Sequence, residues 1–172
     1  MAIQATFINL EDGIRRKKSG ELVYEGMPLA LDVNGELKKA GPTDKVYGLS
    51  KLDSNAYRDF AFGEYAAFGS GQLTVLVKGI ALVSHSVYNQ IEVTSETSPT
   101  SSPVTVKLFD DTQDYTVGDA LYIDAAGMIT NDGAAGMNSL LGKVLRTNLQ
   151  TGGALEIQVD PMPTASKAEL AA

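Results

Sequence analysis

An ungapped internal repeat constrains this chain more than any other feature. Gly26-Met27-Pro28-Leu29-Ala30-Leu31-Asp32-Val33-Asn34-Gly35-Glu36-Leu37 matches Gly118-Asp119-Ala120-Leu121-Tyr122-Ile123-Asp124-Ala125-Ala126-Gly127-Met128-Ile129 at an offset of 92 residues. The shared pattern is Gly-x-x-Leu-x-apolar-Asp-x-x-Gly-x-apolar. Leu29 and Leu31, or Leu121 and Ile123, then share one face of a strand. Asp32 or Asp124 opens a turn, and Gly35 or Gly127 takes its positive-φ position. Weaker echoes follow in order. Val46-Tyr47-Gly48-Leu49 resembles Leu140-Leu141-Gly142-Lys143, and Gly71–Val77 resembles Gly153–Val159. Any two hairpins share some features, but six matched positions without a gap favour duplication. Two copies of one β module are expected, roughly at 22–84 and 115–160.

The remaining texture is also that of strands and turns. Seventeen glycines sit mostly between short apolar runs. Leu73–Ser84 is the longest strand candidate. Leu73, Val75, Val77, Ala81 and Val83 fall on one face by period two, with Leu76, Ile80 and Leu82 on the other. Gly79 is placed to mark a bulge or a close backbone approach. A short helix is compatible with Tyr57–Phe68. Val104, Val106 and Leu108 alternate with polar residues, as do Leu155, Ile157 and Val159. The expected fold is mainly β: two similar small modules, barrel- or sandwich-like, with an extended N-terminal arm and a C-terminal tail. The division is an arm at 1–21, a first module at 22–93, a Ser/Thr/Pro loop at 94–103, a second module at 104–160 and a tail at 161–172.

Charge and composition narrow the function classes. The net charge is −7, which disfavours binding by phosphate neutralisation and adsorption to anionic membranes. The expected partners therefore include neither nucleic acid nor membrane. With no cysteine, disulfides, thiolate metal sites and Cys nucleophiles are excluded. Residues 1–7 lack the basic and apolar regions of a signal peptide. No run approaches the ~18–20 apolar residues that span a bilayer. Synthesis in the cytoplasm as a soluble protein is expected.

Catalytic chemistry finds little support. His85 is the single histidine, and its neighbours Ser84 and Ser86 would point away from it on a strand. Gly136 to Gly142-Lys143 is one residue too long for a phosphate-binding loop, and Val144 replaces its hydroxyl residue. Asp110-Asp111-Thr112-Gln113-Asp114 offers oxygens to a cation without the spacing of a calcium loop. Whether Asp110, Asp111 and Asp114 hold an ion stays open. Paired carboxylates for sugar hydrolysis remain conceivable, but the chain has no Trp to build a sugar platform. A non-enzymatic protein without cofactors is expected.

Binding residues are sought in the arm. Ile3, Phe7, Ile8 and Leu10 could add a strand to a neighbour's sheet edge. Arg15, Arg16, Lys17 and Lys18 could dock on an acidic patch, or could be neutralised locally by Glu11, Asp12, Glu21 and Glu25. The stretches Tyr24–Asp32, Asn34–Leu37 and Tyr47–Ser50 together resemble the structural cement, or head-decoration, proteins of tailed bacteriophages. In that family a G-x-P-apolar strand, a G-x-apolar hairpin and a glycine-led strand recur in small β-rich domains. The resemblance covers residues 20–50 best. It implies a capsid decoration protein on the outer surface of the virion, bridging capsomers. Its partners would be the major capsid protein and further copies of itself, as a dimer or trimer. A tail, baseplate or head-fibre base is the nearest alternative, and a carbohydrate-binding β domain a more distant one.

Overall fold

In a computed structural model, structure is described for residues 5–16, 18, 21, 23–51, 72–84, 88–93, 101–135, 139–147 and 154–161. The possible helix at 57–68, His85 and most of the C-terminal tail lie outside these residues. The fold is mainly β, a curled antiparallel sheet forming a half-barrel. The strands are β1 (Ala5–Arg16), β2 (Pro28–Leu31), β3 (Leu37–Lys39), β4 (Val46–Ser50) and β5 (Gln72–Ser84), then β6 (Tyr88–Val93) and β7 (Ser101–Val106). The second half adds β8 (Ala120–Ile123), β9 (Ile129–Thr130), β10 (Gly142–Arg146) and β11 (Ala154–Val159). The main sheet runs β3-β2-β4-β5-β11-β10-β8-β9, with β1 also paired to β5. β6 and β7 form a separate two-stranded ladder.

The repeat is present in backbone hydrogen bonds as well as in sequence. Asp32 Oδ1 accepts the N–H groups of Asn34 (2.8 Å) and Glu36 (3.0 Å). Asp124 Oδ1 accepts those of Ala126 (2.8 Å) and Met128 (2.9 Å). Gly35 and Gly127, at φ +76° and +83°, each donate to the carbonyl of that aspartate. This left-handed backbone is disfavoured for residues with a Cβ. Strand register repeats too. Leu29 lies opposite Gly48 as Leu121 lies opposite Gly142, and Leu49 opposite Leu76 as Lys143 opposite Gln158. The match begins earlier than expected. Lys18 N–H donates to the Leu37 carbonyl, and Asp110 N–H to that of Ile129, both at 2.8 Å.

Both copies belong to one sheet, joined where residues 79–84 of β5 pair with β11. There β5 takes, beside β11, the place that β1 takes beside β5. β7, which precedes the second copy as β1 precedes the first, pairs with β6 instead. This corrects the expected loop at 94–103: Ser101, Ser102 and Pro103 are strand residues. Polar composition points to a loop, yet Ser101 lies opposite Val93, Ser102 opposite Glu92 and Pro103 opposite Ile91.

A second correction concerns β5. Leu73 and Val75 enter one buried cluster, with Val23, Leu29 and Leu37. Leu76, Ala81 and Val83 enter the other, with Leu121, Ile123, Ile129, Val144 and Ile157. The expected single face over 73–83 is broken because the β1–β5 register shifts between Asn9 and Asp12, passing over Val77. One extra residue inverts strand parity. Gly79, beside the irregularity, has φ +154°, in keeping with the expected bulge.

Candidate interaction surface

Phe7, Ile8, Leu10, Arg15 and Arg16 belong to β1, Lys18 follows it, and Ile3 lies outside the described residues. Phe7 pairs with Ala81 and Ile8 with Ile80, while Leu10 falls at the register shift without a partner. The arm is expected to add a strand to a neighbour's sheet, and its backbone pairs through one edge with β5 of its own chain. Pairing uses one edge of β1, and among the described residues no strand pairs with the other. The strand ends in charge. Arg15 lies over the Tyr47 ring, 5.9 Å from its centroid. Arg16 approaches Glu36 at 3.9 Å, an exposed contact of little energetic weight. Lys18 is exposed, and Lys17 lies outside the described residues. Ile14 stands 62% exposed beside these cations.

The aspartates at 110–119 are engaged in local structure. Asp110 Oδ1 accepts from Thr112 N–H (3.0 Å) and Thr112 Oγ1 (2.6 Å). The Thr112 hydroxyl, then its N–H, hold the Asp110 carboxyl below its ordinary range. Asp111 pairs with Lys107 at 3.0 Å. Asp119 Oδ2 accepts from the Asn131 amide (2.9 Å) and Thr116 N–H (2.8 Å), which lower its pKa. The Asp114 carbonyl takes the other contact of that amide, at 2.8 Å. Tyr115 Oη donates to the Asp110 carbonyl (2.8 Å). Burial, then the Asp110, Asp124 and Asp111 carboxylates, push the Tyr115 phenol well above its usual range. The carboxylates of Asp110, Asp111 and Asp119 point at backbone and side-chain donors, whereas Asp114 is engaged through its carbonyl. Among the described residues no three potential ligands group as a metal site.

No family model, curated protein or solved structure matches this chain.

A surface that motif reading missed lies on the second copy. Gly118, Ala120, Leu140, Gly142, Lys143, Gln158 and Asp160 line an open groove of about 370 Å³. Register builds its floor: Ala120, Lys143 and Gln158 stand side by side across β8, β10 and β11. The equivalent row of the first copy is Pro28, Leu49 and Leu76. The repeat itself held the signal, because Leu49 and Leu76 align with Lys143 and Gln158. No local motif marks it.

Proposed function

We propose that this chain is a bacteriophage capsid decoration protein that binds the outer surface of the assembled head and bridges its capsomers. One observation carries the reading. The residues on which the resemblance rests fold as the unit β2–β3–β4, and the same glycine-led unit recurs as β8–β9–β10. Two similar modules in one sheet suit bridging, since the second contact becomes intramolecular once the first is made. The edge of β1 that is unpaired among the described residues offers main-chain donors and acceptors to a capsid strand. Arg15, Arg16 and Lys18 at its end offer charge to an acidic patch. A protein that binds the assembled lattice and not free subunits shifts the equilibrium toward the lattice. Turnover is not required, and no enzymatic role is proposed. The partners are the major capsid protein and further copies of the chain, on the virion surface after synthesis in the host cytoplasm.

Co-sedimentation with emptied heads lacking this protein tests the reading. Saturable binding that raises the melting temperature of the heads is expected, and binding should weaken with salt. No binding at any ionic strength would discard the capsid reading. Removing residues 1–20 is a poor probe of the basic end, because it strips β5 of a partner. The double variant R15E/R16E is the better one. It should reduce head binding while leaving the protein's own melting temperature nearly unchanged, and full affinity would remove these arginines from the interface.

A further inference from the structure

We infer that the groove on the second copy is a self-association surface, occupied by the same groove of another copy of this chain across a two-fold axis. This rests on the self-association part of the proposed function and is independent of the capsid. In the first copy the row Pro28–Leu49–Leu76 is a packing surface. Leu49 and Leu76 are fully buried and join the cluster that holds Leu121, Ile123 and Ile157 of the second copy. The same backbone surface in the second copy has no cover among the described residues. Its lining adds Leu140 and two glycines to the Ala120–Lys143–Gln158 row. Val117, next to Gly118, stands 64% exposed.

The charges identify the occupant. Lys143 and Asp160 both line the groove. Neither side chain makes a hydrogen bond or ion pair among the described residues. One cation and one anion in one groove are self-complementary. A two-fold places Lys143 of each copy against Asp160 of the other, twice per interface, and no second sequence is needed. A purely apolar partner would leave both charges desolvated and unpaired.

Analytical ultracentrifugation of the full chain, from low to high micromolar and without phage heads, tests this. The wild type should form a dimer. K143E and D160K should each weaken it on the order of tenfold, since each juxtaposes like charges twice. The double variant K143E/D160K restores opposite charges and should restore the dimer. Thermal melts of the three variants should match the wild type, separating loss of association from loss of fold. A monomer throughout, a trimer, a dimer insensitive to the single reversals, or a double variant that stays monomeric would each overturn the proposal. Head binding by a protein that stays monomeric would leave the capsid reading intact and remove only this surface.

Discussion

Ser139 is fully buried, and its Oγ accepts the Ile123 N–H at 3.0 Å while lying 3.3 Å from the Ile123 carbonyl. A side chain here does what a further strand residue would do for β8. Ser139→Ala would leave a buried N–H without that acceptor, at a cost of about 1–3 kcal/mol. Urea denaturation of the two proteins measures it, and an unchanged midpoint would show that the bond contributes nothing. The carboxylates of Asp32, Asp110 and Asp119 are half-buried. Asp32 is held low chiefly by the Glu36 N–H, Asp110 by the Thr112 hydroxyl, and Asp119 by the Asn131 amide. Folded values below the unfolded one mean stability that is present above the unfolded pKa. It is lost as pH falls through the depressed folded values. These groups are partly exposed to solvent, so each contributes modestly. Asp119→Asn keeps an acceptor for Thr116 and Asn131 but cannot titrate. Its melting temperature should therefore fall less than that of the wild type from about pH 5 to pH 2.

At the scale of the element, a glycine recurs where two strands press together. A Cβ at Gly48 would overlap the Leu76 carbonyl oxygen, and at Gly142 the Gln158 carbonyl oxygen, with the Gln158 carbonyl carbon only 2.8 Å away. These are rigid backbone atoms, so Gly48→Ala and Gly142→Ala should each open a ladder and cost about 1–3 kcal/mol or more. At Gly41 the nearest atom is the Asp44 carboxylate at 3.5 Å, and Gly41→Ala should stay within about 0.5 kcal/mol of neutral. Equal losses at all three positions, followed by circular dichroism melts, would show that close approach is not the cause. The turns at Asp32 and Asp124 were legible in the sequence because their geometry is local: one carboxylate, two N–H groups and a positive φ lie within five residues. The strand at 72–84 was legible in extent but not in facing. Its parity depends on a register shift against β1, some sixty residues away. Ser101–Pro103 were read as linker because composition describes the residues and not the partner, and the partner was β6. The groove row needed all three registers at once.

The whole molecule holds two copies that share a sheet and a core without being separable. The larger cluster draws Ala30, Leu49 and Leu76 from the first copy and Leu121, Ile129 and Ile157 from the second. The smaller draws only on the first. The equivalents of Leu49 and Leu76 in the second copy are Lys143 and Gln158, so the packing that buries the first row is not repeated on the second among the described residues. A sheet crossed by the β5–β11 ladder and a core fed from both copies should unfold as one unit. Leu37 lies in the smaller cluster and Leu121 in the larger, both fully buried. Leu37→Ala and Leu121→Ala should each cost about 2–5 kcal/mol. Each should lower the midpoint of one common transition on the order of 10 °C. Far-ultraviolet circular dichroism and tyrosine fluorescence should report the same midpoint in both variants. If Leu121→Ala instead produced an early transition while the rest melted at the wild-type temperature, the copies would be independent modules joined only by covalent chain. The spacing between the two copies would then not be set by the shared sheet.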